Sequence, residues 1–231
     1  MGKLYDELAC DYRFKEGFKT CINCGTCTAV CPAAEFYKYD PRKILDTVQR
    51  KDDAQIEELL KSDTIWYCGE CMSCMTRCPR GNAAGMVIMA LRNLSIRKGY
   101  FTYSERGRQV YPLSKALVGN ILKYGYCVYP DTFAFEDHVE SGPVWKWFLE
   151  HKESCYARLG ANFKGKGPGA LRLIADEDLS ELKAIFDVSG GTAQTEQIER
   201  CSEEKAKEMG MTMEEYLRHT FEYCSPKHFN G

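Results

Sequence analysis

Apolar residues fall at helical spacing in one segment of the chain after another. Ile44, Leu45 and Val48 share a face behind Asp40 and Pro41, a capping acid followed by a proline suited to the first helical turn. Ile56, Leu59 and Leu60 mark a second helix that follows Asp52 and Asp53, acids suited to a helix start. Asn82 is placed to cap a helix over about 83–98, ended by Gly99, with Val87, Ala90, Leu91 and Leu94 on its apolar face. A further helix is predicted over 104–123, with Val110, Leu113, Leu117 and Ile121 turned inward. Turn signals and the aromatics Tyr126, Tyr129, Phe133 and Phe135 fill 125–142. Pro143 then opens a helix carrying Trp145, Phe148 and Leu149, which stops near Gly160.

Residues 160–169, Gly-Ala-Asn-Phe-Lys-Gly-Lys-Gly-Pro-Gly, read as a flexible linker. Neither Lys164 nor Lys166 is followed by the Ser or Thr of a phosphate loop. The stretch 170–231 is helical and charged in pattern. Asp178 with Glu181, and Thr212 with Glu215, fit the reciprocal cap at a helix start. Glu196 to Lys207 is mostly polar around Ile198, so this tail is expected to lack a core and to pack on the rest of the chain or on a partner. The expected organisation is a helical domain over 1–130, an aromatic-rich helical extension over 131–160, and a linker with a partner-binding helical tail over 161–231. The fold class is mainly α.

Cysteine changes the picture. The 231 residues include 13 cysteines, high for a chain in a reducing compartment unless most are ligands. A disulfide framework needs an oxidising compartment, and the N-terminus lacks a secretory apolar region. The stretch nearest to a membrane span, Ala83 to Leu94, is too short and holds Gly85 and Arg92. A cytoplasmic chain with no membrane span is expected.

Eight of the cysteines form two runs of identical spacing. Cys21, Cys24, Cys27 and Cys31 precede Pro32; Cys68, Cys71, Cys74 and Cys78 precede Pro79. Each is C-x2-C-x2-C-x3-C-P, the bacterial ferredoxin ligand run for 4Fe–4S clusters. Soft thiolates match iron and spread its charge. Three cysteines at this spacing wrap one cube, and the cysteine before proline ligates the other cluster. The expected sets are therefore Cys21, Cys24, Cys27 and Cys78 for one cluster, and Cys68, Cys71, Cys74 and Cys31 for the other. The long helical spacer between the runs sets them apart from small strand-based ferredoxins. Gly25 and Gly69 are expected where backbone approaches cluster sulfide. Lys19, Arg77 and Arg80 flank the runs, either tuning the clusters or simply facing solvent.

A pair of zinc sites is the competing reading, but zinc has no use for a repeated x2-x2-x3 run ending in proline. Cys10, Cys127, Cys155, Cys201 and Cys224 are expected to be free thiols. Cys201 and Cys224 with His219 and His228 match no strong metal signature. No catalytic constellation stands out. The formal charge is −2, and two clusters take it to about −6, which argues against a nucleic-acid partner.

The two runs and their helical spacer resemble the α-helical ferredoxin domain of several iron–sulfur proteins, and most nearly the heterodisulfide reductase C-type family, over about residues 15–130. Asn120-Ile-Leu-Lys-Tyr-Gly is similar to the segment after that domain's last core helix. The iron–sulfur proteins of succinate dehydrogenase add a 2Fe–2S domain for which there is no room before Cys21. The Cys-Cys-Gly repeats of glycerol-3-phosphate dehydrogenase and fused heterodisulfide reductase proteins are absent. The resemblance implies an electron-transfer component of a larger oxidoreductase, with two 4Fe–4S clusters and no active site of its own. It implies a Cys-Cys-Gly-bearing B-type partner and a flavin-bearing A-type partner. The long tail resembles forms in heterodisulfide reductase-like complexes of bacteria, including sulfur oxidisers. A diffusible ferredoxin and the iron–sulfur component of another dehydrogenase stay open.

Overall fold

A computed structural model describes residues 3–132 and 142–222; the side chains of 221 and 222 are not described. Phe133, Phe135, Cys224 and His228 lie outside the described residues. About 70% of the chain is helical, with no strand among the described residues, so the fold is mainly α. The chain forms two compact units, Met1–Arg108 and Gln109–Gly231. The expected boundary at 130 falls inside the second unit.

The first unit contains α1 (Lys3–Cys10), α2 (Tyr12–Gly17), α3 (Thr26–Ala29), α4 (Ala33–Phe36), α5 (Pro41–Gln49), α6 (Asp53–Lys61), α7 (Ser73–Arg77), α8 (Ala84–Arg97) and α9 (Glu105–Arg108). Helix α8 is its centre, packed by α1, α2, α5, α6 and α7. Its Val87, Ala90, Leu91 and Leu94 are fully buried, as the periodicity predicts. Val48, Ile56, Leu60 and Ile65 close over them. Each such aliphatic side chain contributes about 1.5–3 kcal/mol on leaving water.

Local chemistry explains most helix starts. Asp40 accepts the backbone N–H groups of Arg42 and Lys43, with Pro41 in the first turn. Asp52 caps α6 through Ala54. Asp53 turns elsewhere: its carboxylate accepts the N–H groups of Leu4 and Tyr5 at 3.0 and 3.1 Å and so caps α1. Asn82 does not cap α8. That helix begins at Ala84 behind Ala83, with no side-chain cap, because Asn82 Oδ1 accepts the Lys19 N–H instead.

The second unit contains α10 (Val110–Tyr124), α11 (Gly142–Arg158), α12 (Asp176–Ser189), α13 (Gly191–Glu208) and α14 (Met213–Glu222). The helix predicted over 104–123 is broken, since α9 ends at Arg108 and α10 starts at Val110. Tyr111, Pro112 and Asn120 form the buried side of α10, whereas Leu113 is exposed. The tail has a core of its own: α10, α12, α13 and α14 pack together, burying Ile198, Ala206 and Tyr216. Asp178 sits in the first turn of α12, because that helix, with Ala175 at its cap position, begins three residues earlier than the cap pattern implies. Thr212 and Glu215 do form the reciprocal cap, each accepting the other's backbone N–H, at 2.7 and 3.2 Å. The glycine-rich loop is organised around Asn162, whose amide donates to the carbonyls of Lys166 and Pro168.

Candidate metal centre

The two cysteine runs fold alike. In each, the first cysteine's sulfur accepts an N–H from two residues on: Asn23 to Cys21 and Glu70 to Cys68, both at 3.4 Å. That geometry places Asn23 and Glu70 in the left-handed region, at φ of 60° and 54°. In each, the second cysteine meets a hydroxyl two residues on, Cys24 with Thr26 and Cys71 with Ser73. These contacts hold the Cys24 and Cys71 thiols below their ordinary pKa. A left-handed residue then starts a short helix: Gly25 before α3, and Met72 before α7.

Gly25 and Met72 are therefore the equivalent positions. Gly69 is not in the left-handed region, and a Cβ there would meet nothing within 4 Å. Gly69 nonetheless lines the second cavity, as Gly25 lines the first, and the left-handed positions of the second run are Glu70 and Met72, at a cost of about 1–2 kcal/mol each.

The eight cysteines line two cavities, both partly open to solvent. Cys21, Cys24, Cys27 and Cys78 line the first. Cys31, Cys68, Cys71 and Cys74 line the second. Three residues of one run and the last of the other thus surround each space. Ala84, at the start of α8, lines both cavities, so they adjoin. Helices α3 and α7 pack together. Burial pushes the Cys27 thiol up to about 11, with Cys21 and, from the other cavity, Cys74 adding to the rise. Burial also raises Cys68. Loading such thiols with metal releases their protons. Among the described residues, no three His, Cys, Asp or Glu side chains meet closely enough to hold a single ion; here the thiols surround a space instead.

Each cavity has one lining residue with a buried polar atom that makes no well-formed hydrogen bond in the chain. Asn82 Nδ2 belongs to a side chain lining the first, and Tyr39 Oη to one lining the second. Such orphans cost about 1–3 kcal/mol unless a bound group satisfies them. Both are donors, and a sulfur-rich anionic cluster offers acceptors. The donor set and the orphans fit iron–sulfur clusters.

Supporting contacts reach the runs from afar. Arg92 on α8 donates to the carbonyls of Ile65 and Cys68, at 2.8 and 2.6 Å, and pairs with Glu70. Thr28 on α3 donates to the Asp40 carboxylate. Burial would raise Asp40, but hydrogen bonds from Thr28, Lys43 and Arg42 hold it below its usual range. Arg80 lines the first cavity from an exposed position; Lys19 and Arg77 are exposed. Sequence reasoning missed Tyr39, Asn82 and Arg92 at the site. It also missed the Ser or Thr two residues after the second cysteine, a signal present in both runs.

Among the described residues every cysteine is free: Cys10 and Cys127 are exposed, Cys155 is half-buried, and Cys201 is buried in the second unit. No described helix is long and apolar enough to cross a membrane.

Comparison with known proteins agrees with this geometry. Residues 17–82 match the family described as the 4Fe-4S dicluster domain. The C component of the ferredoxin:CoB-CoM heterodisulfide reductase of Methanosarcina acetivorans is 43% identical over 83 residues, 36% of this chain and 32% of that protein. A C-type iron-sulfur component of the CoB–CoM heterodisulfide reductase of Methanocaldococcus jannaschii is 34% identical over 113 residues, 49% of this chain and 54% of that protein. Its counterpart in Methanopyrus kandleri is 38% identical over 88 residues, 38% of this chain and 44% of that protein. The chain spans about half the length, or less, of the curated relatives it matches. The matched domain carries two 4Fe–4S clusters.

Proposed function

Since this chain belongs, through its cysteine-rich domain, to the heterodisulfide reductase C-type family, we propose that it relays electrons within a larger heterodisulfide reductase-like complex. Cys21, Cys24, Cys27 and Cys78 hold one 4Fe–4S cluster in this reading, and Cys31, Cys68, Cys71 and Cys74 hold the other. The observation that carries it is the pair of adjoining cavities, each lined by four cysteines drawn from both runs. Bound there, the clusters supply reversible one-electron transfer. The chain's own residues hold, orient and insulate them. Asn23 and Glu70 N–H groups donate to the first sulfur of each run, while the aliphatic face of α8 excludes water from the far side. Exposed Cys24 and Cys71 leave each site one edge open to a partner.

The relatives' names describe components of larger reductases, which supports a place in a complex; the proposed partners follow from the resemblance carried by the two cysteine runs. Electrons pass between a flavin-bearing A-type protein and a Cys-Cys-Gly-bearing B-type protein that handles a disulfide or a sulfur intermediate. The setting is the cytoplasm.

The test is anaerobic reconstitution followed by electron paramagnetic resonance, together with purification from native cells. The reading expects two cubane signals per chain and co-purifying flavin. One cluster per chain, zinc in the sites, or a partner-free monomer overturns it.

A further inference from the structure

The second cavity contains a polar group that cysteine ligation leaves unexplained. Tyr39 is 4% exposed, and its ring lines the cavity beside Cys31, Cys68, Cys71 and Cys74. Its hydroxyl is buried and makes no well-formed hydrogen bond in the chain, although the Cys68 sulfur lies within reach of it. Cys68 is its principal electrostatic neighbour. A buried phenol usually finds a partner, because leaving it unpaired is costly.

The surroundings fix the ring in place. Tyr39 immediately precedes the Asp40 cap, and its own N–H donates to the Tyr37 carbonyl at 2.7 Å. Tyr67, one residue before Cys68, packs edge-on against it at 6.1 Å between ring centroids. Tyr67 in turn stacks on Tyr37 at 4.5 Å, and the Arg106 guanidinium covers both rings. Tyr39 lines the cavity itself, and its hydroxyl interacts with Cys68 of the sulfur-lined wall. No tyrosine lines the first cavity, whose orphan donor is the Asn82 amide, so a change at Tyr39 touches the second site alone.

We propose that Tyr39 donates its hydroxyl hydrogen bond to the Cys68 sulfur when the second cluster is bound, and thereby raises that cluster's reduction potential selectively. This rests on the reading of Cys68 as a ligand of that cluster. A donor to a ligand sulfur stabilises the more negative, reduced state more than the oxidised one. Tyr39 is a positioning and tuning residue, since it acts through Cys68 and gains or loses no electron.

The experiment compares full-length wild type with Tyr39→Phe, both reconstituted anaerobically. Iron content and the two paramagnetic signals are measured first; then a redox titration follows each signal. Cys71→Ser marks which signal belongs to the second cavity. The expected result is full iron content, with the second cluster's reduction equilibrium falling several-fold to about tenfold. A tenfold fall corresponds to a shift of about 59 mV to lower potential for one electron. The first cluster's potential stays in place. An unchanged second potential, or equal shifts at both clusters, overturns the proposal. Loss of the second cluster's iron assigns Tyr39 a structural part and overturns it too. Failure of the wild type to take up two clusters is a separate result, and sinks the electron-transfer reading itself.

Discussion

Gln49 grips Cys21 on both sides of its peptide: the Cys21 N–H donates to Gln49 Oε1 at 2.6 Å, and Gln49 Nε2 donates to the Cys21 carbonyl at 3.2 Å. Gln49 ends α5, whose Ile44, Leu45 and Val48 are locked in the core. The first cysteine of the first run is thereby fastened to the hydrophobic centre of the domain. Gln49→Ala removes both hydrogen bonds and is expected to cost about 1–3 kcal/mol. The loss should fall on one cluster. Chelator challenge of the reconstituted variant is expected to bleach the cluster of Cys21, Cys24 and Cys27 faster, with the other kept at its wild-type rate.

The two cavities exchange their last cysteines, and this makes a sharper prediction. Cys78→Ala is expected to abolish the cluster of the first run, although Cys78 belongs to the second. Cys31→Ala is expected to abolish the other. Each variant should retain about half the iron of the wild type, and the surviving paramagnetic signal should differ between them. Loss in Cys78→Ala of the cluster held by Cys68, Cys71 and Cys74 would refute the exchange. Because the bridging links distant segments, either variant should also melt below the wild type.

What the sequence made legible was local. The Asp40 cap with Pro41, and the reciprocal cap of Thr212 and Glu215, depend on neighbours within three or four residues, so their pattern suffices. The cysteine runs were equally plain, because the same spacing occurs twice, each time within a dozen or so residues. Asn82 looked like a cap and became a tether for Lys19, a partner 63 positions away. Asp53 looked like the start of α6 and also caps α1, 49 positions back. Arg92 looked like a charge interrupting an apolar stretch, yet its guanidinium holds the Cys68 loop. Long-range partners decide all three, and one-dimensional pattern does not contain them. Gly69 lines its cavity as expected, but the left-handed turns of that run fall on Glu70 and Met72, whose residue types do not announce them.

Gly17 marks a close approach of α2 to α8. A Cβ there would lie 2.7 Å from Met86 Cβ and 3.1 Å from the Ala83 carbonyl oxygen. Both atoms sit near the backbone, so neither can swing aside. The Gly17 carbonyl also accepts the Ala83 N–H at 2.8 Å, which fixes the start of α8 beside both cavities. Gly17→Ala is expected to destabilise the first unit by about 1–3 kcal/mol through overpacking. Thermal unfolding under anaerobic conditions checks the value. An unchanged melting temperature would mean that α2 can move off α8 freely.

Asp11 supplies a pH dependence whose sign is fixed by its surroundings. It caps α2, accepts three hydrogen bonds from Arg13, and takes a fourth from Asn93 on α8. Burial alone would raise its carboxyl; the bonds from Arg13 and Asn93 outweigh that and bring it from 3.8 to about 2. A carboxyl lowered on folding stabilises the protein fully above its unfolded value. That contribution is lost as the pH falls from about 4 towards 2. With solvent screening, the contribution at neutral pH is about 1–2 kcal/mol. Asp11→Asn is therefore expected to melt below the wild type at pH 7. The gap should close as both are acidified through this window, because the wild type loses what the variant already lacks. Asp40, lowered in the same sense, acts in both proteins and cancels in the difference. A gap that stays constant from pH 7 to pH 3 would show that Asp11 stabilises α2 by shape alone, with no part played by its charge.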